Sequence, residues 1–188
     1  MNRIALYMII FSLAMMSCEP EWEEPYQVYK INKGTHAPLV PKISSLQSET
    51  LVFNAVFNES AIYQNALEEN QQDINKLMGF ADCNSKHHDN SARFGWRWFE
   101  DQLEIHAYCY VNGERVVAYI GTVELNEKVD YMLNVSDTQY TFQIEDEAPI
   151  IINRGDVCNI GVYYMLYPYF GGDETAPHDI SIQIRLTY

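Results

Sequence analysis

The sequence is poor in basic residues, with 12 Lys and Arg against 26 Asp and Glu and a net charge of −14. Nucleic acids and anionic lipid surfaces are bound mainly through Lys and Arg, so this balance argues against both as partners. The chain also lacks a Gly-x-Ser-x-Gly nucleophile elbow, a Gly-rich phosphate loop and a His-Glu-x-x-His zinc motif. No local motif therefore indicates a reaction.

Long hydrophobic runs are absent except at the N-terminus. The apolar run 4–16 follows Arg3 and is too short to span a membrane comfortably, but it has the length of a signal-peptide core. Its end, Leu-Ala-Met-Met-Ser-Cys, resembles a bacterial lipoprotein signal, which is cleaved before the cysteine. This resemblance implies a signal peptide over residues 1–17 and a lipid on Cys18. The alternative is an ordinary secretory signal that leaves Cys18 free.

The segment after Cys18 is acidic and rich in proline. Its first glutamates are Glu19, Glu21, Glu23 and Glu24. They resemble the export signal of Bacteroides surface lipoproteins, and this resemblance implies that the protein is located on the outer face of the outer membrane. Four prolines before residue 48 are typical of an extended tether. We therefore expect a lipidated tether over 18–47 and one folded domain over 48–188.

The central stretch 91–125 predicts three consecutive antiparallel strands. Apolar and polar residues alternate from Gln102 to Asn112, which is the period of a strand with one buried face. Asn112-Gly113 predicts a type I′ hairpin turn, and Glu100-Asp101 predicts a second tight turn upstream. These turns fix a register with the cross-strand pairs Arg97–Glu104, Gly95–His106, Arg93–Tyr108, His106–Tyr119, Tyr108–Val117 and Tyr110–Arg115.

Other segments extend this pattern to about ten strands with almost no helix. Strands are predicted at Thr50–Phe57, Lys76–Ala81, Asp130–Val135, Gln139–Glu145, Ala148–Ile152, Gly161–Phe170 and Asp179–Leu186. The segment Glu59–Asp73 fits either a short helix or a loop. With 47% hydrophobic residues, the chain can bury a substantial core. The spacing predicts an all-β antiparallel sandwich.

The predicted register gives the central strands one apolar and one polar face. Ala92, Phe94, Trp96 and Trp98 turn into the core. The opposite face is the candidate ligand-binding surface and carries Arg93, Arg97, Glu104, His106, Tyr108, Tyr110, Arg115 and Tyr119. Tyrosine rings can stack on the C–H faces of sugars while their hydroxyls reach sugar oxygens. These residues also have a purely structural interpretation, in which Arg97 and Glu104 form a surface ion pair and His106 is a packed histidine.

Three sequence segments carry a resemblance to a known fold: SARFGWRW, EIHAYCYVNGE and YPYFGGDETAPHDISIQI. They resemble the concanavalin-like jelly rolls of secreted bacterial carbohydrate-active proteins and, more narrowly, uncharacterised Bacteroides lipoproteins. The resemblance covers residues 50–188. It implies a jelly-roll sandwich that binds a glycan on its concave sheet.

A sharper similarity is to alginate-lyase-like jelly rolls. It implies Arg93 as neutraliser of a uronate carboxylate, His106 as base, and Tyr167 or Tyr169 as acid in β-elimination. Two departures stand against catalysis: Glu104 replaces a neutral amide, and Gly171 replaces a lysine. We therefore expect glycan binding without catalysis, with a polysaccharide lyase as the alternative. A structural or protein-binding envelope component is a third possibility.

Metal ligands and cysteines give weak signals. Asp173 and Glu174 on a Gly-rich loop are candidate Ca²⁺ ligands, although a plain acidic turn explains them and we expect no cofactor. The loop 82–89 contains adjacent histidines whose spacing matches no established zinc site. Cys109 is expected to be a buried thiol. Cys83 and Cys158 are at loop edges and could form a disulfide.

Overall fold

The computed structural model describes residues 24–39, 44–82, 84–155 and 163–187, which form two six-stranded antiparallel sheets. The strands are β1 Gln27–Ile31, β2 Ser45–Leu46, β3 Thr50–Phe57, β4 Asn75–Ala81, β5 Ser91–Phe99, β6 Gln102–Val111, β7 Glu114–Val123, β8 Val129–Val135, β9 Gln139–Ile144, β10 Ile150–Asn153, β11 Tyr163–Leu166 and β12 Ile180–Leu186. The prediction of an all-β antiparallel sandwich is confirmed.

Each sheet combines strands from distant parts of the chain. The first sheet has the order β1-β12-β3-β8-β9-β10, and the second has the order β2-β11-β4-β5-β6-β7. The second sheet therefore holds the predicted central meander β5-β6-β7 and places β4 and β11 beside it. The core between the sheets is aromatic: Phe53 stacks on Tyr131 with ring centroids 4.9 Å apart, and Phe94 meets Phe53 edge to face at 5.8 Å.

The two turns of the meander have the predicted backbone. Asn112 and Gly113 have φ values of 51° and 83°, and Glu100 and Asp101 have values of 49° and 59°. These positive angles are those of the two central residues of a type I′ turn. All six predicted cross-strand pairs are present, including His106 opposite Tyr119. Ala92, Phe94 and Trp96 are fully buried as expected, while Trp98 is only half-buried.

Two predicted segments differ from the structure. The expected tether 18–47 includes β1, which pairs with β12, and β2, which pairs with β11, so folded structure begins before residue 48. The alternation of Tyr29 and Ile31, both buried, was the missed signal. The strand expected over Gly161–Phe170 ends at Leu166 because Pro168 cannot donate a ladder hydrogen bond.

The ambiguous segment 59–73 forms two short 3₁₀ helices, Glu59–Ala61 and Glu68–Gln72. Glu174 holds the second: its carboxylate accepts hydrogen bonds from the backbone N–H groups of Ala66 and Leu67 at 2.7 and 2.9 Å and from Asn70 at 2.8 Å. These donors lower the pKa of Glu174.

Within the described ranges, no helix is long and apolar enough to cross a membrane.

A buried ion pair ties the two sheets together at the end of β4. The guanidinium of Arg154 donates to both oxygens of Asp82, from Nε at 2.6 Å and from Nη2 at 2.7 Å. Tyr140 on β9 donates to the same carboxylate at 2.5 Å. The Asp82 side chain is only 1% exposed, so its charge is balanced inside the protein. This contact joins the second sheet to β9 and β10 of the first.

Candidate functional site

A groove crosses the outer face of the second sheet and has two compartments. The first compartment encloses about 580 Å³. Its polar and aromatic lining consists of Lys76, His87, His88, Arg93, Tyr108, Tyr110, Tyr167 and Tyr169, with Ala37, Pro38, Met165, Leu166 and Pro168 completing the wall. The second compartment encloses about 420 Å³ and is lined by Gln72, Asp73, Ile74, Lys76, Tyr108, Arg115, Val117 and Gly172. Lys76 and Tyr108 line both compartments, which therefore adjoin at these two residues.

A β-bulge in β4 places Lys76 in the groove. Lys76 pairs with Gly95 and Gly79 pairs with Arg93, so β4 has one more residue than β5 across this interval. In a regular strand, residues 76 and 79 would point to opposite faces, whereas the extra residue directs both to the groove. The bulge thereby aligns the lysine of β4 with the arginine of β5.

Glycines make room for the two cations. A Cβ atom on Gly79 would lie 2.8 Å from Cγ of Arg93 and 2.1 Å from the Ala92 carbonyl oxygen. A Cβ on Gly171 would lie 2.3 Å from Nζ of Lys76. Side chains at these positions would occupy the space of the arginine stem and the ammonium group. The position where the lyase resemblance expects a lysine is thus a glycine that accommodates Lys76.

The two cations are buried among aromatic rings. Arg93 is 7% exposed, and its Nε has no hydrogen-bond partner in the part of the chain that the structure describes. Its Cζ lies 5.8 Å from the ring centroid of Tyr108, and burial lowers the pKa of Arg93 to about 10. Lys76 is 9% exposed and donates from Nζ to the Ile74 carbonyl at 2.7 Å. Burial, followed by the charge of Arg93, lowers the pKa of Lys76 to about 8.

Aromatic side chains form the walls of the first compartment. Tyr108 and Tyr110 meet edge to face at 6.0 Å, and His88 lies 5.0 Å from the ring of Tyr110. On the opposite wall, Tyr169 stacks on His36 with centroids 5.2 Å apart and planes 6° apart. The Tyr169 side chain remains 38% exposed, so its ring is both held in place and accessible. Such rings form platforms for a flat, partly apolar ligand.

Tyr167 is held more firmly. Its hydroxyl hydrogen-bonds to the Ser44 hydroxyl at 2.6 Å, and its ring stacks on Tyr29 at 5.8 Å. Arg93, Tyr167 and Tyr169 therefore come together in one compartment, as the lyase resemblance implies. His106, the fourth residue of that set, is outside the described lining of both compartments.

His106 belongs to a separate polar cluster beside the groove. Its Nε2 donates to Oε2 of Glu104 at 3.0 Å, and Nε of Arg97 donates to the same oxygen at 2.6 Å. Arg97 also donates to the Gln72 carbonyl at 2.9 Å. Burial lowers the pKa of His106, while the hydrogen bond with Glu104 opposes that shift. Tyr119 packs edge to face on His106 at 5.6 Å and is 52% exposed.

The predicted polar face is thus divided. Its members Arg93, Tyr108, Tyr110 and Arg115 line the groove, whereas Arg97, Glu104, His106 and Tyr119 lie outside the described lining. Sequence reasoning missed Lys76, because a bulge cannot be deduced from alternation. It also missed His88, which the loop 84–90 brings against Tyr110, although aromatic residues next to a strand end were a usable signal.

Metal ligands and thiols are sparse in the described part of the chain. No group of three or more His, Cys, Asp or Glu side chains is arranged there to hold a metal ion. Asp173 is exposed, and Glu174 is engaged by the three N–H donors described above. Cys109 is a buried free thiol, as predicted, and burial raises its pKa. Cys18, Cys83 and Cys158 lie outside the described residues.

No protein-family model and no curated protein sequence matches the chain. Solved structures are similar in fold. Alginate lyase AlyC3 has a TM-score of 0.61 at 10% identity, over 86% of this chain and 74% of that chain. SCLam, a non-specific endo-β-1,3(4)-glucanase from family GH16, has a TM-score of 0.54 at 9% identity, over 86% and 71%. The laminarinase catalytic domain from Thermotoga maritima has a TM-score of 0.54 at 8% identity, over 86% and 76%.

These similarities establish the fold. The chain is a jelly-roll sandwich of the kind found in alginate lyases and GH16 glucanases, which confirms the expected architecture. At identities of 8–10%, residue roles do not transfer from these enzymes. Function has to be argued from the groove itself.

Proposed function

We propose that this protein is a surface lipoprotein whose groove binds a glycan without changing it chemically. The observation that carries this proposal is the first compartment, where accessible tyrosine rings surround two buried cations on the outer face of a sheet. Ligand sites combine such apolar walls with a few polar groups that fix orientation. The fold neighbours are carbohydrate-active enzymes, which supports a sugar as the ligand class.

The size and shape of the groove favour an oligosaccharide. Two compartments of about 580 and 420 Å³ that share Lys76 and Tyr108 offer more volume than one sugar ring occupies. Tyr110 and Tyr169 on opposite walls can each stack on a sugar face. Lys76 and Arg93 between them can donate hydrogen bonds to sugar oxygens.

A polysaccharide lyase is the second candidate, because Arg93, Tyr167 and Tyr169 line one compartment. β-Elimination also needs a base within hydrogen-bond reach of the sugar proton. His106 is engaged with Glu104 and lies outside the described lining, so binding without catalysis is the better-supported proposal. Glycoside hydrolysis usually needs two carboxylates across the scissile bond, whereas the described lining offers only Asp73.

The proposed location rests on the N-terminal sequence alone. We propose that Cys18 carries lipid and anchors the protein in the outer membrane, facing outward, with a glycan or another envelope component as its partner. Mass spectrometry of the membrane-extracted protein should find a lipidated N-terminal Cys18. Protease treatment of intact cells should remove the protein if it faces outward. The variant Cys18→Ser should be absent from the membrane fraction.

The binding proposal is tested with a glycan panel read in two ways, as binding and as new ultraviolet absorbance from unsaturated uronate. Binding without absorbance supports the proposal. Absorbance that disappears in Tyr169→Phe but not in His106→Ala would replace it with a lyase that uses a different base. Absence of binding and absorbance across the panel would overturn both candidates and favour a structural role.

A further inference from the structure

The groove contains charge that the protein does not balance. Arg97 and Arg154 each hold a carboxylate at 2.6 Å. By contrast, none of the groove cations Lys76, Arg93 and Arg115 has an ion pair within 4.0 Å among the described residues. The chain has 26 acidic residues available for pairing. The groove is therefore a local exception in an acidic protein.

This exception is costly to folding. A buried cation without an ion pair loses its hydration, and the contacts with the Tyr108 ring and the Ile74 carbonyl carry no full negative charge to replace it. Arg93 is the clearest case, because it is only 7% exposed and its Nε has no hydrogen-bond acceptor among the described residues. Arg93 and Lys76 also repel each other, since the charge of Arg93 disfavours the protonated form of Lys76. An anion between them would remove both penalties.

We propose that the ligand is an acidic glycan, and that Arg93 and Lys76 together bind its carboxylate or sulfate group in the first compartment. This proposal rests on the glycan-binding function proposed above. Both side chains line that compartment and flank the ring of Tyr108. The guanidinium of Arg93 suits the planar, two-oxygen geometry of a carboxylate or sulfate, while Lys76 supplies a point charge.

Arg115 places a third cation further along the groove. It lines the second compartment, which adjoins the first at Lys76 and Tyr108. A polyanionic chain could therefore place one acidic group at Arg93 and Lys76 and a later one near Arg115. Asp73 is the single described carboxylate in this lining, and it is on the Lys76 side of the second compartment.

The experiment compares matched glycans on the full chain. The probes are acidic oligosaccharides, including an oligogalacturonate and a dextran sulfate, each beside its carboxyl-reduced or unsulfated counterpart. Calorimetry should show at least tenfold tighter binding of one acidic probe than of its neutral counterpart. Arg93→Met and Lys76→Met should each remove most of that difference, whereas Lys128→Met, which removes an exposed cation directly before β8, should preserve it.

The outcomes separate the two proposals. Equal affinity for acidic and neutral members overturns the anion site but leaves glycan binding intact. Absence of binding to every probe overturns glycan binding and the anion site together. Preference for the uronate identifies a carboxylate ligand, and preference for dextran sulfate identifies a sulfate ester.

Folding of the variants supplies an independent readout. Because the buried guanidinium of Arg93 has no ion pair among the described residues and its Nε is unsatisfied there, Arg93→Met should unfold at the same or a higher denaturant concentration than the unliganded wild type. A large loss of stability in Arg93→Met would show that the guanidinium has a structural partner, and would overturn its assignment as an anion ligand.

Discussion

The ammonium of Lys76 lies 4.5 Å from the ring centroid of Tyr108, and these two side chains form the wall shared by both compartments of the groove. A ligand that extends along the groove must pass over this pair. The contact also holds the ammonium over an aromatic face, which favours lysine rotamers that reach the ring. Affinity and specificity should therefore depend on the residues around this pair rather than on the whole polar face of the sheet.

Tyr169→Ala should weaken glycan binding about 3- to 10-fold, because an aromatic stack contributes roughly 0.5–1.5 kcal/mol. The ring is 38% exposed, so its removal should leave folding unaffected. Calorimetry with a glycan from the panel measures the change. The matched variant is Tyr119→Ala, which removes a tyrosine that is 52% exposed and lies outside the described lining. A larger effect of Tyr119→Ala than of Tyr169→Ala would place the site on the edge strand β7.

Affinity for an acidic glycan should fall as the pH rises above 8. Burial, followed by the charge of Arg93, lowers the pKa of Lys76 to about 8; Asp73 opposes this shift and Arg115 adds to it, and the value includes both effects. At pH 9 a group with this pKa is about 90% neutral, so affinity should drop by up to about tenfold relative to pH 7. Arg93, whose pKa is about 10, remains mainly charged at pH 9.

The variant Lys76→Met is the control for this pH dependence. It should bind more weakly at pH 7 and show a nearly flat profile up to pH 9. The ring of Tyr108 does not add a competing titration in this window, since burial raises its pKa. A wild-type profile that is flat between pH 7 and pH 9 would contradict a role for the Lys76 ammonium.

Sequence reasoning reached the central meander with its register because two turns and a strict alternation determine it. Asn112-Gly113 has one favourable backbone conformation between strands, and each pair then follows by counting. The position of Lys76 did not follow in this way. The bulge between residues 76 and 79 depends on packing against β5, so the pattern of β4 alone does not show it.

Arg154→Leu should destabilise the fold by about 3–5 kcal/mol, because it leaves the Asp82 carboxylate charged and buried. Urea denaturation measures the loss. Lys30→Leu removes a cation from an exposed pair with Asp179 at 2.7 Å, and it should leave the denaturation midpoint close to that of the wild type. Similar midpoints for the two variants would contradict the structural role assigned to the Asp82–Arg154 pair.

Gly113→Ala should destabilise the fold by about 1–2 kcal/mol through its backbone alone. Its φ is +83°, and a Cβ there would meet nothing within 4 Å. Gly121→Ala near the other end of β7 is the matched variant, since its Cβ would lie 3.4 Å from Cδ1 of Ile144 and its φ is outside the left-handed region. Equal denaturation midpoints would show that the hairpin turn tolerates another backbone conformation.

The division of the predicted polar face illustrates a limit of register arguments. Arg93 and His106 are on neighbouring strands and point to the same face, so the sequence groups them. The structure separates them chemically, because Glu104 binds His106 and Arg97, while Arg93 has no carboxylate partner among the described residues. Side-chain pairing among long polar residues depends on rotamers that strand periodicity does not determine.

The most direct test of the central claim is to locate a bound glycan on the protein. Amide chemical shifts of the ¹⁵N-labelled protein would be followed during titration with the tightest-binding oligosaccharide of the panel. The account predicts shifts concentrated around Lys76, Arg93, Tyr108, Tyr110 and residues 166–170. Shifts concentrated on the first sheet, or around His106 and Tyr119 with the groove unchanged, would contradict it.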